Sequence, residues 1–306
     1  MRVFVTGATG WVGSAVVKDL MAAGHQVLGL ARSDAGAQAL AAVGSDVQRG
    51  ALEDLDSLRR GAAASDGVIH TAFGHDFSRF QANMDIDLHA IEAIGDVLAG
   101  SNRPFVTTSG TLIIAMAAPG RLGTEDDAPD PAVPRVPSEL ATLALASRGV
   151  RSSVMRLAPS VHGDGDKGFV PRLIDIARET GVSAFVGDGT HRWPAVHRQD
   201  TARAFRLALE IGEAGSRYHA VADEGIAVRE IAEVIGRQLN LPTVSKSAEE
   251  AASHFGFLAM FLGLDAPTSS TLTRQRLGWT PTHHGLIADL QGGRYFDGSA
   301  SKFSGG

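Results

Sequence analysis

Three glycines near the N-terminus are spaced so that a backbone loop can hold a phosphate group. They stand in the segment Gly7-Ala8-Thr9-Gly10-Trp11-Val12-Gly13, which follows a strand-like run and precedes a helical pattern. The first glycine then allows a tight turn, the second lets the backbone approach a pyrophosphate, and the third allows the helix to pack closely on the strand. Amides at the helix N-terminus would bind the phosphates. A glycine turn without a ligand is the alternative, and the strand–loop–helix context favours dinucleotide binding.

The residues at the end of the second predicted strand indicate whether NAD(H) or NADP(H) is bound. A carboxylate at that point would accept hydrogen bonds from the adenosine ribose and repel a 2′-phosphate. This chain has Ala31-Arg32-Ser33 instead, so the repulsion is absent and Arg32 offers a planar cation suited to phosphate. We therefore expect NADP(H) in preference to NAD(H). The alternative role for Arg32 is that of a solvated surface cation.

The elements around these residues predict an α/β fold in which helices cover both faces of a parallel sheet. Short β-branched runs alternate with longer helical stretches, and apolar strands such as Val68-Ile69 suit a sheet buried on both sides. The predicted strands are Arg2–Thr6, Gln26–Leu30, Asp46–Arg49, Gly67–Thr71, Pro104–Thr108 and Ser152–Arg156. The predicted helices are Trp11–Ala23, Ala35–Val43, Leu55–Ala62, Asn83–Ala99 and Ser138–Ser147. The segment Ala117–Pro137, rich in Pro, Gly and Asp, is predicted to be a long loop.

The pattern changes after Arg156. We expect a Rossmann-type domain over residues 1–160, a smaller and mostly helical substrate lobe over residues 161–296, and a flexible tail over residues 297–306. Within the lobe, some segments of residues 187–222 are expected to return to the large sheet. Further helices are predicted at Phe169–Thr180, Thr201–Glu210, Val228–Leu239, Ala248–Leu262 and Ser270–Leu277, with one strand at Tyr218–Ala222.

Composition limits the function classes. The 306 residues are 44% hydrophobic, enough for a large core, and the net charge of −6 gives no electrostatic basis for binding nucleic acid or an anionic membrane. The absence of cysteine excludes disulfides, thiolate metal sites and a cysteine nucleophile. No signal-peptide pattern or bilayer-length apolar run is found, so we expect a cytoplasmic protein.

Several segments resemble the extended and atypical short-chain dehydrogenase/reductases, the group that includes NAD-dependent epimerases and dehydratases. They are TGATGWVGS, VIHTAF, FVTTSGT and MRLAPSVHG, followed by GDGTHRWPAVHRQDTA at residues 187–202. The resemblance extends to about Leu239. It implies a Rossmann sheet, a small-molecule substrate bound between the carboxyl edge of the sheet and the smaller lobe, and a possible homodimer formed through Rossmann-domain helices.

The resemblance also assigns residues to the two halves of the cofactor. Leu52 would border the adenine, and Ala72 and Phe73 would face the nicotinamide half. Pro159-Ser160-Val161 matches the stretch that passes the nicotinamide ring.

Ser109 matches the active-site serine of the resembled family, with Thr108 and Thr111 as neighbours. A hydroxyl there can donate a hydrogen bond to a substrate carbonyl oxygen as negative charge builds on it. The alternative is a strand-end hydroxyl that caps the next turn.

The chain departs from the family pattern at the Tyr-x-x-x-Lys pair that normally exchanges the substrate proton. Its only tyrosines are Tyr218 and Tyr295, far downstream. One alignment puts Pro131 at the tyrosine position and Arg135 at the lysine position; a second puts Arg135 and Glu139 there. Arg135 can hold the nicotinamide ribose or polarise a carbonyl, but it cannot donate a proton at neutral pH. Its alternative role is an i,i+4 salt bridge with Glu139.

Two of the 11 histidines are candidates for the missing acid. His75 stands in the loop expected to border the substrate, and His162 follows the nicotinamide-facing stretch; a structural or solvated histidine is the alternative for each. A further group, His191, Arg192, Trp193, His197 and Asp200, lies at the lobe junction. It lacks a known metal-ligand spacing, and we expect no metal.

Two functions fit these patterns. The first is an NADPH-dependent oxidoreductase that reduces a small carbonyl or imine or oxidises the alcohol, or a related epimerase-type enzyme. The second is a dinucleotide-sensing regulator that has lost the chemistry, as absence of the tyrosine would allow. Retention of Ser109 and of the Pro159–Val161 stretch favours the enzyme.

Overall fold

The computed structural model describes residues 1–74, 79–292 and 294–297, and its largest feature is a parallel sheet of seven strands. The strands are β1 (Arg2–Thr6), β2 (Gln26–Ala31), β3 (Asp46–Arg49), β4 (Gly67–His70), β5 (Pro104–Gly110), β6 (Arg151–Leu157), β7 (Ser160–His162), β8 (Ser183–Val186), β9 (Arg192–His197), β10 (Ser216–Ala220), β11 (Asp223–Ala227) and β12 (Thr243–Lys246). The large sheet has the order β10-β6-β5-β4-β1-β2-β3. Because the order reverses at β1, a crevice opens at the carboxyl edge of the sheet between β1 and β4. The predicted Rossmann-type fold is confirmed.

Helices cover both faces of this sheet, because its strands carry apolar side chains on both sides. They are α1 (Trp11–Ala22), α2 (Asp34–Ala42), α3 (Leu55–Ala63), α4 (Phe80–Leu98), α5 (Leu112–Ala117), α6 (Val136–Ala144), α7 (Phe169–Thr180), α8 (Arg198–Ile211), α9 (Val228–Leu239), α10 (Ala248–Phe255), α11 (Ala259–Leu262), α12 (Thr271–Leu277) and α13 (Leu286–Gln291). Helices α1 and α8 bury apolar residues against Val5 and Val106 on one face, whereas α3 and α4 pack against Phe4 and Phe105 on the other. Alternate residues of each strand therefore face opposite layers.

The smaller lobe contains more strand than the sequence predicted. Two small sheets, β11-β9-β7 and β12-β8, pack with α7, α9, α10 and α13 around the buried ring of Trp193. Its strands have only three to six residues and little alternation of apolar and polar side chains, so the periodic signal was too weak to reveal them. Two elements from this part of the chain join the Rossmann domain: β10 pairs with β6 in the large sheet, and α8 packs on α1.

The predicted long loop begins later and ends earlier than its composition suggested. Helix α5 occupies Leu112–Ala117, and α6 begins at Val136, so the irregular segment covers residues 118–135. Backbone bonds from Gly120 to Asp265 and from Gly123 to Pro267 hold this segment against the C-terminal part of the chain. Among the described helices, none has the length and apolar character needed to cross a membrane.

Candidate active site

The glycine loop between β1 and α1 leaves no room for side chains at two of its three glycines. Gly7 has φ +65°, and a Cβ on it would lie 2.6 Å from the amide nitrogen of Ala72. A Cβ on Gly13 would lie 2.7 Å from the hydroxyl of Thr71 and would also collide with the carbonyl of Gly7. Helix α1 has Gly10 as its N-cap, without a capping side chain or a first-turn acid. Its first amides are therefore free to bind an anion such as a pyrophosphate.

Substituting Gly13 by alanine tests this packing. We expect the free energy of unfolding to fall by about 1–3 kcal/mol, because the added methyl group forces β1 and α1 apart. The affinity for NADPH should fall as well, since the loop amides move with α1. Urea denaturation and fluorescence titration measure the two effects. Gly263→Ala is the control, because the nearest atom to a Cβ there is 3.8 Å away; equal stability of both variants would contradict the close approach.

A second group of residues lies where β2 and β3 end. Arg32 is exposed, and the Ser33 hydroxyl caps α2 by accepting a bond from the Gly36 amide. Arg49, which the sequence analysis missed, ends β3 beside Ala31; it donates to the Ser33 carbonyl and pairs with Asp34 at 2.7 Å. Two arginines and a helix N-terminus thus meet at one edge. Arg49 was missed because its neighbour in space, Ala31, is 18 residues away in sequence.

The other predicted cofactor residues lie along the same carboxyl edge. The Thr9 methyl group faces Gly36 at the start of α2, and Leu52 packs on the core beneath the β3 end. Ala72 and Phe73, which follow β4, are half-buried.

Trp11 joins the glycine loop to the stretch after β6. Its indole Nε1 donates to the Val161 carbonyl at 2.8 Å, and the Arg198 guanidinium lies 4.0 Å from the indole ring centre. Ser160 is buried, and its hydroxyl has no partner among the described residues. The structure thus places Pro159-Ser160-Val161 against the predicted phosphate loop.

Two buried hydroxyl groups at the end of β5 have no partners in the described part of the chain. Ser109 is 5% exposed and Thr111 is fully buried, yet neither hydroxyl has a hydrogen-bond partner in the described chain. Thr107 bonds the Thr142 hydroxyl of α6 at 3.0 Å, so by strand alternation Ser109 also faces the α6 layer. The Thr108 hydroxyl instead donates to the His70 carbonyl at 2.8 Å. The predicted turn-capping role of Ser109 is not seen among these contacts.

Arg135 extends from the residue before α6 into this region. Its Nη2 donates to the Thr108 carbonyl at 3.2 Å, and its guanidinium carbon lies 3.9 Å from the centre of the Phe73 ring. Its Nε is buried without a partner in the described chain. Burial lowers the pKa of Arg135, and the charge of Asp87 opposes that shift. The structure therefore brings Arg135, Phe73 and the Ser109 strand together.

The alternative salt bridge between Arg135 and Glu139 is wrong. The Glu139 carboxylate is buried and contacts Arg156 of β6 and, at 2.8 Å, Arg217 of β10. Burial alone would raise the pKa of Glu139, but these two arginines hold it below its usual value. Glu139 does not pair with Arg135 at the i,i+4 spacing, because Arg156 and Arg217 from two strands bind its carboxylate.

The two candidate histidines have different outcomes. His75 lies outside the described residues. His162 is buried in β7, where its Nδ1 lies 2.6 Å from Asp289, and its ring packs edge-on against His197. Burial lowers the pKa of His162. Its described contacts are at the lobe junction, and none of them is with Ser109 or Arg135.

The junction also brings His197, Asp200 and His283 together, with ligand-type atoms within 4.8 Å of one another. The rings of His197 and His283 stack at 4.4 Å and only 7° from parallel, which does not direct their nitrogens toward one point. The Asp200 carboxylate accepts bonds from the backbone amides of Thr282 and His283. Burial and the neighbouring histidines lower the pKa of His197 to about 4. These contacts anchor the segment before α13 to α8.

A Rossmann sheet with this glycine loop defines a dinucleotide-binding protein. The model of the NAD dependent epimerase/dehydratase family matches residues 3–221, and the chain belongs to that family. An uncharacterized protein of Schizosaccharomyces pombe is 54% identical over 97% of this chain and 100% of its own length.

Two more distant relatives carry names that state a reaction. A 2-alkyl-3-oxoalkanoate reductase of Stenotrophomonas maltophilia is 29% identical, covering 81% of this chain and 78% of the relative. The 4-hydroxy-2-methyl-3-oxo-4-farnesyl-3,4-dihydroquinoline-1-oxide ketoreductase of Stigmatella aurantiaca is 27% identical, over 84% and 80%. The family and its members are NAD(P)-dependent oxidoreductases and epimerases, and this chain is an enzyme of that class.

Among solved structures, the UDP-glucose 4-epimerase of Thermus thermophilus in complex with NAD has a similar fold. Its TM-score is 0.76 at 19% identity, covering 98% of this chain and all of that chain. At this identity the likeness supports the Rossmann fold alone.

Proposed function

We propose that the protein is an NADPH-dependent reductase of a small carbonyl or imine substrate, which also catalyses the reverse oxidation of the alcohol. The observation that carries this proposal is the pair of buried hydroxyls of Ser109 and Thr111 at the end of β5, together with Nε of Arg135, whose Nη2 binds that strand; none of these three donors has a partner in the described part of the chain. Buried polar groups are normally hydrogen-bonded, so donors left unpaired in this region indicate a polar ligand. A carbonyl oxygen that gains negative charge is a fitting acceptor.

The chain's own groups would stabilise the developing alkoxide. The Ser109 hydroxyl donates a hydrogen bond to the substrate oxygen, and the Arg135 guanidinium supplies a positive charge that burial strengthens. The nicotinamide, when bound, supplies hydride to the carbonyl carbon. The alkoxide then takes its proton from water or from His75. His162 is a weaker candidate, because Asp289 binds it at the lobe junction.

The two relatives named as reductases support carbonyl reduction. One is named for a 3-oxoalkanoate and the other for ketoreduction of a 3-oxo compound. Carbonyl reduction requires that the carbonyl oxygen be polarised while hydride adds to its carbon, and that the resulting alkoxide then take a proton. The donors at the end of β5 suit the first requirement, and water or His75 would meet the second in place of the family tyrosine.

The decisive experiment is single-turnover oxidation of bound NADPH by a panel of aldehydes, ketones and imines. We expect at least one compound to oxidise the cofactor at a rate well above the enzyme-free rate. Micromolar NADPH binding without turnover of any compound would instead support the dinucleotide-sensing regulator.

The preference for NADPH is proposed from Arg32 and Arg49. Each should contribute a charge-assisted hydrogen bond to the 2′-phosphate, and each alanine variant should weaken NADPH binding by about tenfold with little change for NADH. Asp34→Ala should tighten NADPH binding, because it frees Arg49 and removes a nearby negative charge.

Isothermal titration with both cofactors tests this preference. The control is Arg59→Ala, which removes an exposed arginine paired with Asp56 in the same domain. Tighter binding of NADH than of NADPH by the unmodified protein would refute the preference. So would Arg32 and Arg49 variants that keep the original ratio of the two affinities.

A further inference from the structure

An arginine at the start of α8 contacts the glycine loop and the first turn of α1. The Arg198 Nε donates to the Trp11 carbonyl at 2.6 Å, and its Nη2 donates to the Ser14 hydroxyl. That hydroxyl donates in turn to the Gly10 carbonyl at 2.6 Å. The guanidinium also lies 4.0 Å from the centre of the Trp11 ring, a distance at which a cation and an aromatic face attract each other. One side chain therefore binds the loop at its backbone, at a hydroxyl that reaches Gly10 and at its indole ring.

Trp11 continues this connection to β7. Its indole Nε1 donates to the Val161 carbonyl at 2.8 Å. Val161 pairs with Val196 of β9, and β9 leads directly into α8, which begins at Arg198. The turn after β7 also lies beside the indole, since a Cβ on Gly165 would be 3.7 Å from Cζ3 of Trp11. Trp11 is thus held by β7, by the turn that follows β7 and by Arg198.

These contacts join two parts of the expected cofactor site that are distant in sequence. The loop Gly7–Gly13 is expected to bind the pyrophosphate, and Pro159–Val161 is expected to pass the nicotinamide ring; Trp11 and Val161 are 150 positions apart. A loop with three glycines has more backbone freedom than most sequences, so side-chain contacts are needed to fix its position relative to β7. The planar guanidinium of Arg198 suits this role because it stacks on a ring and donates two directed hydrogen bonds at the same time.

We propose that Arg198 and Trp11 are positioning residues for the dinucleotide. They fix the phosphate loop against Pro159–Val161, so that the pyrophosphate and the nicotinamide of one bound cofactor are held in a single relative orientation. Neither side chain has to touch the cofactor in this role, because Arg198 acts through Trp11 and Ser14. The inference rests on the dinucleotide site of the proposed function, but it depends neither on carbonyl reduction nor on the preference for NADPH.

Fluorescence of the bound reduced nicotinamide tests the positioning without any carbonyl substrate. The probe is NADPH or NADH, whichever the unmodified protein binds more tightly, and binding is expected to change its emission. At saturating cofactor Arg198→Ala should lose most of that change. An emission that Arg198→Ala leaves unchanged would overturn the proposal. So would an unmodified protein that binds the cofactor without altering its emission, whatever the outcome of the turnover panel, because the nicotinamide would then not be held. If neither cofactor binds, the inference and the proposed function both fail.

Affinities give a second readout, which separates positioning from a local loosening of the loop. Arg198→Ala should weaken binding of the dinucleotide about tenfold, because the pyrophosphate and nicotinamide contacts no longer fit one ligand at once. The matching analogue without the nicotinamide base, 2′-phospho-ADP-ribose or ADP-ribose, can follow the loop and should lose at most about threefold. Isothermal titration measures both. Equal losses for the two ligands would refute the connection between the two parts of the site.

The matched control is Arg206→Ala. Arg206 also joins α8 to α1, through a 2.7 Å bond to Asp19, but it lies about two turns further along α8 and has no described contact with the loop. This variant should keep the emission of the bound cofactor and change its affinity by no more than about twofold. If Arg206→Ala and Arg198→Ala have equal effects, packing of α8 on α1 explains both, and the role of Arg198 as a positioning residue fails.

Two further variants test the joint action of the two residues. Trp11→Phe keeps an aromatic ring but removes the donor to Val161, so it should change emission and affinity in the same direction, and it provides the test if Arg198→Ala does not fold. Arg198→Lys keeps the charge and should retain more of the affinity than Arg198→Ala. Thermal denaturation identifies the folded variants. Because both side chains serve one connection, the double variant with Trp11→Phe and Arg198→Ala should lose less affinity than the product of the two single losses. Fully multiplicative losses would refute their joint role.

Discussion

Alanine at position 109 is expected to lower kcat by about a hundredfold while the affinity for NADPH stays nearly constant. The Ser109 hydroxyl is buried without a partner in the described chain, so its removal breaks no internal hydrogen bond. Loss of the hydroxyl should therefore mainly destabilise the transition state, in which negative charge develops on the substrate oxygen. Single-turnover oxidation of NADPH by the best carbonyl compound gives the rate constant of hydride transfer, and titration gives the affinity for NADPH.

A matched control lies on the neighbouring strand. The hydroxyl of Ser152 in β6 is also buried and unpartnered among the described residues, but it lies near the amino end of that strand. Ser152→Ala should change kcat by less than twofold or so. If Ser109→Ala loses only a few-fold in kcat, or if both variants lose equally, Ser109 does not stabilise the oxyanion.

The largest effect on stability is expected at Glu139. Its carboxylate is fully buried between Arg156 and Arg217, and Glu139→Gln leaves the buried guanidinium of Arg156 and the partly buried one of Arg217 without their counter-charge. Breaking a buried pair in this way costs about 3–5 kcal/mol in the free energy of unfolding. Urea denaturation at pH 7 measures it. Asp56→Asn, which breaks the exposed pair with Arg59, should cost at most about 1 kcal/mol.

The same carboxylate predicts a pH dependence. Because Arg156 and Arg217 hold the pKa of Glu139 below its usual value, ionised Glu139 stabilises the folded state. That contribution is complete above the pKa of an unfolded glutamate, about 4.3, and it is lost as the pH falls through the lower pKa of the folded state. The unfolding free energy of Glu139→Gln should therefore change less than that of the unmodified protein below about pH 4.3. Parallel curves for the two proteins would contradict this assignment.

Local sequence was sufficient for the large sheet and the phosphate loop. Hydrophobic periodicities over ten to twenty residues predict the order of strands and helices. The glycine spacing predicts the loop because a single tight turn there leaves no room for side chains. Gly7 and Gly13 are needed because neighbouring backbone occupies the place of a Cβ. The short strands of the smaller lobe, such as β8, carried too few residues for a periodic signal.

The partners of charged groups depended on contacts that sequence spacing does not contain. Spacing along α6 suggested that Arg135 and Glu139 would pair, but Glu139 pairs with Arg156 and Arg217. Arg135 lies instead over Phe73, 62 positions earlier in the sequence. Desolvation favours a counter-charge beside a buried carboxylate such as Glu139, and the sheet order decides which strand arginines supply it.

The sequence by itself determined that this protein has a Rossmann domain with a dinucleotide loop, because both depend on local patterns. It also placed Ser109 at the end of a strand and showed that the helix after the long loop contains no tyrosine. Only the tertiary structure decided what lies near Ser109: the Thr111 hydroxyl, unpartnered among the described residues, and Arg135, which binds the Thr108 carbonyl and lies over Phe73. The physical reason is that these groups follow β4 and β5 or precede α6, and those elements meet only when the sheet forms.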